Sequence, residues 1–314
     1  MRQAGRYLPE FREIRKLNPN FVDLCLNEKL SSEITIQPIK RFDLDAAIIF
    51  SDILMIPYGL NQKVEFIKNF GPKLEDLVLE KILKVNKSEF IKKLLPVYKS
   101  IKNVKNNKIL NDKNLIGFIG APWTLLVYML NKQSPKKSIS KDFFKNKNLI
   151  NSLLEKVEEF SKIHIENQIE NGADVIQIFD SWVGLLEEKD LDKFCYAPTL
   201  NLVNFVKSKN IPVICFPRGI KDYKKYCDLI KPDGINIDYE VNPLKIKNEI
   251  QDITIQGGLD PKILLQDKDT LKKETLKYLD IFKDHPYIFN LGHGVLPDTD
   301  PKMVEYLIKF VRDY

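Results

Sequence analysis

The stretch LINSLLEKVEEFSKIHIENQIENGADVIQIFDSW, residues 149–182, decides the fold class. Its first part, Leu149–Glu170, carries apolar residues at Leu153, Leu154, Val157, Phe160, Ile163 and Ile165 and predicts an amphipathic helix. Val175–Phe179 (VIQIF) is a short apolar run of β-branched and aromatic residues, the pattern of a strand buried on both faces. Polar Asp180 and Ser181 follow at once. The same kind of run recurs at Ala46–Phe50 (AAIIF), Leu115–Ile119 (LIGFI), Pro212–Phe216 (PVICF), Gly234–Ile237 (GINI), Ile253–Gln256 (ITIQ) and Tyr287–Leu291 (YIFNL). Helical patterns separate these seven runs, which implies right-handed βαβ crossovers and a parallel sheet. There is no internal repeat and no low-complexity linker, so residues 1–314 read as a single domain. Lys102–Asn114, the most polar stretch, is expected to be a surface loop.

At 314 residues the chain is long enough for one α/β barrel. Its net charge of +6 is spread along lysine-rich helices interleaved with acidic residues, which favours solvated faces over a nucleic-acid surface. No apolar run approaches the length of a membrane span, and the N-terminus lacks a secretory signal. Cys25, Cys195, Cys215 and Cys227 form no CxxC pair and have no histidine at metal-finger spacing, so four reduced thiols, an intracellular setting and no metal are expected.

Each strand is followed by glycines and polar groups: Ser51-Asp52, Gly120-Ala121-Pro122-Trp123, Asp180-Ser181-Trp182, Pro217-Arg218-Gly219, Asp238-Tyr239, Gly257-Gly258-Leu259-Asp260 and Gly292-His293-Gly294. In a (β/α)8 barrel that is the face on which active sites are built. Taken singly, these residues have ordinary readings. Asp52 suits a helix N-cap as well as a catalytic carboxylate. Tyr128, in the apolar Trp123–Leu130 helix start, suits the core. Asp180 and Ser181 suit caps of the next helix. His293, between two glycines, suits close approach of a ligand or of another backbone. His164 and His285 are expected to have no site role. Arginine is the sharper signal. Only seven of the 49 basic residues are Arg, and four of those, Arg2, Arg6, Arg12 and Arg15, lie in the first fifteen positions. A chain that otherwise uses lysine has kept the planar fork that grips a carboxylate in two parallel bonds. Arg2-Gln3-Ala4-Gly5-Arg6 therefore reads as a carboxylate-gripping loop, with Gly5 allowing close approach.

Together these segments resemble uroporphyrinogen decarboxylase. The resemblance rests on Met1–Glu10 (MRQAGRYLPE), Phe50–Leu54 (FSDIL), Gly120–Thr124 (GAPWT), Phe179–Trp182 (FDSW), Asn290–Gly294 (NLGHG) and Pro297–Pro301 (PDTDP), in order along the chain. It implies a TIM barrel, removal of carbon dioxide from the acetate side chains of uroporphyrinogen to give coproporphyrinogen in haem biosynthesis, no cofactor, and a cytoplasmic homodimer. It carries Arg2, Arg6 and Asp52 over as catalytic residues. Gln3, Ala4, Gly5, Tyr128, Ser181 and His293 join them as contacts of the tetrapyrrole substrate, with no nucleic-acid or membrane partner. The superfamily also includes corrinoid-dependent methyltransferases with thiolate and imidazole ligands to zinc. Val213–Arg218 (VICFPR) lacks a His-x-Cys, which speaks against that chemistry. A non-catalytic tetrapyrrole-binding protein is the other alternative. The RQAGR segment matches one that follows the first barrel strand, which predicts that Met1 is internal and that roughly 20 to 30 upstream residues, including a strand, belong to the functional protein.

Overall fold

The computed structural model describes residues 5–68, 70–135 and 144–314. Arg2, Gln3 and Ala4 thus lie outside the described residues. The strands are β1 (Ala46–Ile48), β2 (Val64–Ile67), β3 (Gly71–Leu74), β4 (Asn114–Gly120), β5 (Val175–Asp180), β6 (Val213–Pro217), β7 (Gly234–Ile237), β8 (Thr254–Gly257) and β9 (Tyr287–Ile288). Seven of them form one curled parallel sheet in the order β1-β4-β5-β6-β7-β8-β9, with helices around it in a TIM-barrel-like arrangement. All seven expected runs are strands of this sheet. Among the described residues no ladder joins β1 to β9.

Burial on both faces explains the apolar runs: β6 and β7 are buried at every position. The register Ile176↔Val213, Ile178↔Cys215 and Ile235↔Ile255 lays branched side chains beside one another. The helix expected over Leu149–Glu170 spans Lys147–Glu170, with the Asn146 side chain accepting from Leu149 N. It buries Leu153, Leu154, Val157, Phe160, Ile163 and Ile165, the positions read from its periodicity.

Three local expectations are corrected. Lys102–Asn114 is not all loop: the helix Lys87–Lys105 runs into it and a 3-10 turn covers Lys108–Leu110, because Val104 and Leu110 are buried anchors within the polar sequence. β9 ends at Ile288, and Leu291 instead forms an isolated bridge with Leu259. The antiparallel pair β2–β3 was not expected. Val64, opposite Leu74, anchors it to the core.

Inside the helical layer, the Tyr98 hydroxyl and His164 Nδ1 hydrogen-bond at 3.0 Å, both fully buried. Burial holds the imidazole neutral, with its pKa lowered to about 3. The unfolded chain protonates His164 near its ordinary value of about 6.5. The unfolded state therefore binds more protons between those values, and stability falls as the pH falls through that window, by at most about 1.4 kcal/mol per pH unit. His164→Gln should remove this contribution. Urea unfolding at pH 6.5 and 4.5 should show the wild type losing more stability than the variant, by about 2 kcal/mol. Parallel pH profiles would refute the assignment.

Candidate active site

Because the sheet is parallel, the carboxyl ends of its seven strands open on one side, and the polar residues that end the strands collect there. Asp52 follows β1. Its Oδ1 accepts from Leu54 N at 2.9 Å, and its main-chain carbonyl accepts from Met55 N at 3.1 Å. The carboxylate thus shapes the turn that enters the short helix Met55–Gly59, two positions before the N-cap, Leu54. It is half-buried and close enough to the buried Cys25 thiol to add to the raised pKa that burial gives it.

Tyr128 sits on the helix Pro122–Asn131 that follows β4. It is half-buried, accepts a 3.3 Å hydrogen bond from Ser134, and packs edge-on against Trp182, with ring centroids 6.0 Å apart. Ser181 and Trp182 follow β5. His293, also half-buried, follows Gly292, whose amide donates to Leu259 O at 2.8 Å. A Cβ at Gly292 would lie 2.4 Å from Tyr239 N and 2.8 Å from the Asp238 carbonyl carbon. Only glycine admits this contact, which presses the His293 segment onto the end of β7. The structure therefore brings Asp52, Tyr128, Ser181 and His293 to one face. Gly5 and Arg6 lie in the chain that leads into the helix Pro9–Leu17.

Arg12 ties that N-terminal chain down. Its guanidinium donates to Arg6 O through Nε and to Pro297 O, in the segment beyond His293, at 2.8 Å. Tyr7 stacks on Phe42, centroids 6.4 Å apart, and Leu8 is fully buried. Arg15 donates to Asn18 O and lies over the Phe21 ring. Two of the four arginines in the first fifteen positions, Arg12 and Arg15, are thus structural; neither belongs to the Arg2–Arg6 loop read as a carboxylate grip. The Arg6 side chain is exposed and makes no hydrogen bond or ion pair among the described residues.

The residue that sequence reasoning misplaced is Asp180. It does not cap a helix: it is 1 % exposed. Its Oδ1 accepts from Thr124 Oγ1 at 2.7 Å. Thr124 Oγ1 in turn accepts from Trp182 N at 3.2 Å, and Trp123 Nε1 donates to Trp182 O at 2.9 Å. One threonine and one indole thus hold the backbone N–H and C=O of Trp182, the residue after Ser181. Burial raises the Asp180 carboxyl to about 7, against the hydrogen bond from Thr124 and the nearby Cys195 thiol, both of which lower it. Oδ2 is buried away from solvent. The available signal was the Thr124 hydroxyl, two residues after Pro122 in a helix that is otherwise almost wholly apolar. Among the described residues no group of three His, Cys, Asp or Glu side chains is placed to hold a metal ion. None of the described helices is long and apolar enough to cross a membrane.

A raised carboxyl binds its proton more tightly folded than unfolded. Between about pH 4, its ordinary range, and about 7, the folded state holds the extra proton, and stability falls as the pH rises through that window. Asp180→Asn keeps the acceptor for Thr124 and removes the ionisation. The variant should gain on the wild type as the pH is raised from 4 to 7, by at most about 1.4 kcal/mol per pH unit. A difference independent of pH, measured by denaturant unfolding, would show that Asp180 is ionised throughout.

The family model described as uroporphyrinogen decarboxylase (URO-D) matches residues 1–314. A Rickettsia bellii (strain RML369-C) protein named uroporphyrinogen decarboxylase is 41% identical over 319 residues, covering 100% of this chain and 94% of the relative. Its namesake in Rickettsia felis (strain ATCC VR-1525 / URRWXCal2) is 40% identical over 319 residues, covering 100% of this chain and 92% of the relative. Among solved structures, a methyltransferase from Methanosarcina mazei superposes with a TM-score of 0.77 at 17% identity, covering 96% of this chain and 90% of that one. A B12-independent methionine synthase from Shewanella sp. W3-18-1 reaches a TM-score of 0.53 at 12% identity, covering 91% and 87%. The structural likenesses speak for the fold alone. The full-length sequence match does more: this chain belongs to the uroporphyrinogen decarboxylase family.

Proposed function

We propose that this protein removes carbon dioxide from the acetate side chains of uroporphyrinogen III, leaving methyl groups and giving coproporphyrinogen III, on one barrel domain spanning residues 1–314. The observation that carries the reading is the full-length family match together with the placing of Asp52, Tyr128, Ser181 and His293 on the carboxyl-end face of a single parallel sheet. One hydrophobic cluster running from Tyr7 to Leu307 supports the single domain. A cytoplasmic homodimer is proposed on the family resemblance.

The chemistry suits these side chains. The substrate is a flexible tetrapyrrole with eight carboxylates, so it needs cationic forks at its rim and an anion at its centre. Asp52 is the central group, because a carboxylate accepts from several pyrrole N–H groups at once. Protonation of a pyrrole ring carbon makes that ring the electron sink. The bond from the acetate methylene to its carboxylate then breaks, carbon dioxide leaves, and the electron pair flows into the ring. A proton added at the methylene gives the methyl group, and loss of the ring-carbon proton restores the pyrrole. Positive charge develops on the ring in the first step, so a preorganised anion stabilises the transition state more than the ground state. Because the substrate supplies its own sink, the reaction needs no cofactor. Arg2 and Arg6 are proposed to grip peripheral carboxylates, and Tyr128, Ser181 and His293 to complete the contacts.

The corrinoid-methyltransferase alternative is not favoured. Cys215, the one thiol on the fourth strand of the sheet, is fully buried, with its pKa pushed up to about 12, a poor thiolate ligand.

The test is anaerobic turnover of uroporphyrinogen III with product analysis. Wild type should release coproporphyrinogen III; no release would overturn the reading. Asp52→Asn keeps an acceptor for Leu54 N, so the turn and fold should persist. Loss of the charge should nonetheless lower kcat by about 100-fold or more. An Asn variant of full activity would reduce Asp52 to a turn former. Arg6→Lys should lose most of the turnover although its charge is kept.

A further inference from the structure

We propose that Arg218 is a second clasp for a peripheral carboxylate of the substrate, on the side of the barrel mouth away from Arg6. The proposal deepens the polycarboxylate reading above and rests on it.

The first ground is what the other arginines do. Arg12 and Arg15 serve main-chain carbonyls. Arg41 clasps Glu10 through two bonds of 2.8 and 2.9 Å. Arg312 reaches the Asp43 carbonyl and carboxylate and, at 3.2 Å, Asp45. Arg218, like Arg6, has a guanidinium that makes no hydrogen bond or ion pair among the described residues, yet it is half-buried. A half-buried cationic fork without a partner has lost hydration without compensation, and a carboxylate ligand restores what it lost.

The second ground is placement. Arg218 is the first residue after β6, which stands three strands from either edge of the sheet. Arg6 is tied to Pro297, beyond β9, at the far edge. Eight carboxylates around a tetrapyrrole cannot all meet one clasp, so a second cation well removed from the first matches the substrate's shape. The Arg218 amide donates to Asp180 O at 3.0 Å and its carbonyl accepts from Gly184 N at 3.3 Å, which pins it beside the segment carrying Ser181. Gly219 turns the chain with φ +78, and a Cβ at Gly184 would lie 2.9 Å from Gly219 O. Two glycines in such contact hold the backbone under Arg218 in one place.

The third ground is that no acid among the described residues competes for the fork. Asp238, the nearby acid, does not pair with Arg218, and its Oδ1 accepts from Glu240 N at 2.9 Å. The fork therefore offers two parallel bonds to one carboxylate of the ligand.

The test compares wild type with Arg218→Ala and Arg218→Lys, in turnover of uroporphyrinogen III and in fluorescence titration with uroporphyrin I, the unreactive octacarboxylate. Arg218→Ala should raise KM and the porphyrin Kd by about 10- to 100-fold, with kcat within about threefold, and should leave the melting temperature unchanged. Lys should recover part of the loss. KM and Kd within twofold of wild type in Arg218→Ala would overturn the clasp. So would failure of both Arg218 variants to fold, since that would make the residue structural. A wild type that binds uroporphyrin I in an Arg218-dependent way without decarboxylating uroporphyrinogen would sink the proposed reaction and leave the clasp standing.

Discussion

Parallel pairing is the constraint from which the rest of this molecule follows. Each of the six ladders of the main sheet is parallel. A parallel strand cannot be reached by a tight turn, so every strand is followed by a crossover that returns outside the sheet. Both faces are then covered, which is why the strands read as apolar runs. All carboxyl ends lie on one side, and polar residues that would burden a core elsewhere can gather where the chain leaves the sheet. The interior itself is not wholly apolar: Gln177, Asn236 and Gln256 are buried, and Gln256 donates to Asn236 Oδ1 at 2.7 Å. Amides that satisfy one another add polarity beneath the site without adding charge.

The same burial acts in opposite senses on two ionisable groups. It forces His164 to stay neutral by lowering its pKa to about 3, and it forces Asp180 towards neutrality by raising its pKa to about 7. His164 lies between helices, away from the strand ends, and hydrogen-bonds Tyr98. Asp180 ends a strand and organises the peptide beside Ser181. A perturbed pKa alone does not separate a structural group from one serving the site. What each group holds in place does.

The strands were legible because burial on two faces leaves β-branched runs that no helix pattern imitates at that length. The helix Lys147–Glu170 was legible through its period. The β2–β3 pair was not, because Val64–Ile67 and Gly71–Leu74 are held by packing on the core rather than by a pattern of their own. Asp180 was read as a cap because a carboxylate just beyond a strand suits a cap and a buried acid equally. Only the burial of Thr124, which supplies its donor, decides between them. Asp52 was open for the same reason, and its observed role in the turn is compatible with a charge facing a ligand.

Arginine shows how far composition alone can be pressed. Its rarity in a lysine-rich chain marks places where the shape of the cation matters, and each described case bears that out in a different way. Arg12 spans two carbonyls from separate segments, Arg41 makes a two-bond clasp with Glu10, and Arg312 bridges a carbonyl and two carboxylates. A single ammonium reproduces none of these geometries. Shape dependence is therefore not the same as substrate contact. What separates the two is whether the protein already supplies the acceptor. Where it does, the fork is a strut, as Arg12 is between Arg6 O and Pro297 O. At Arg6 and Arg218 no acceptor is supplied among the described residues, and the acceptor proposed for each is a carboxylate of the ligand.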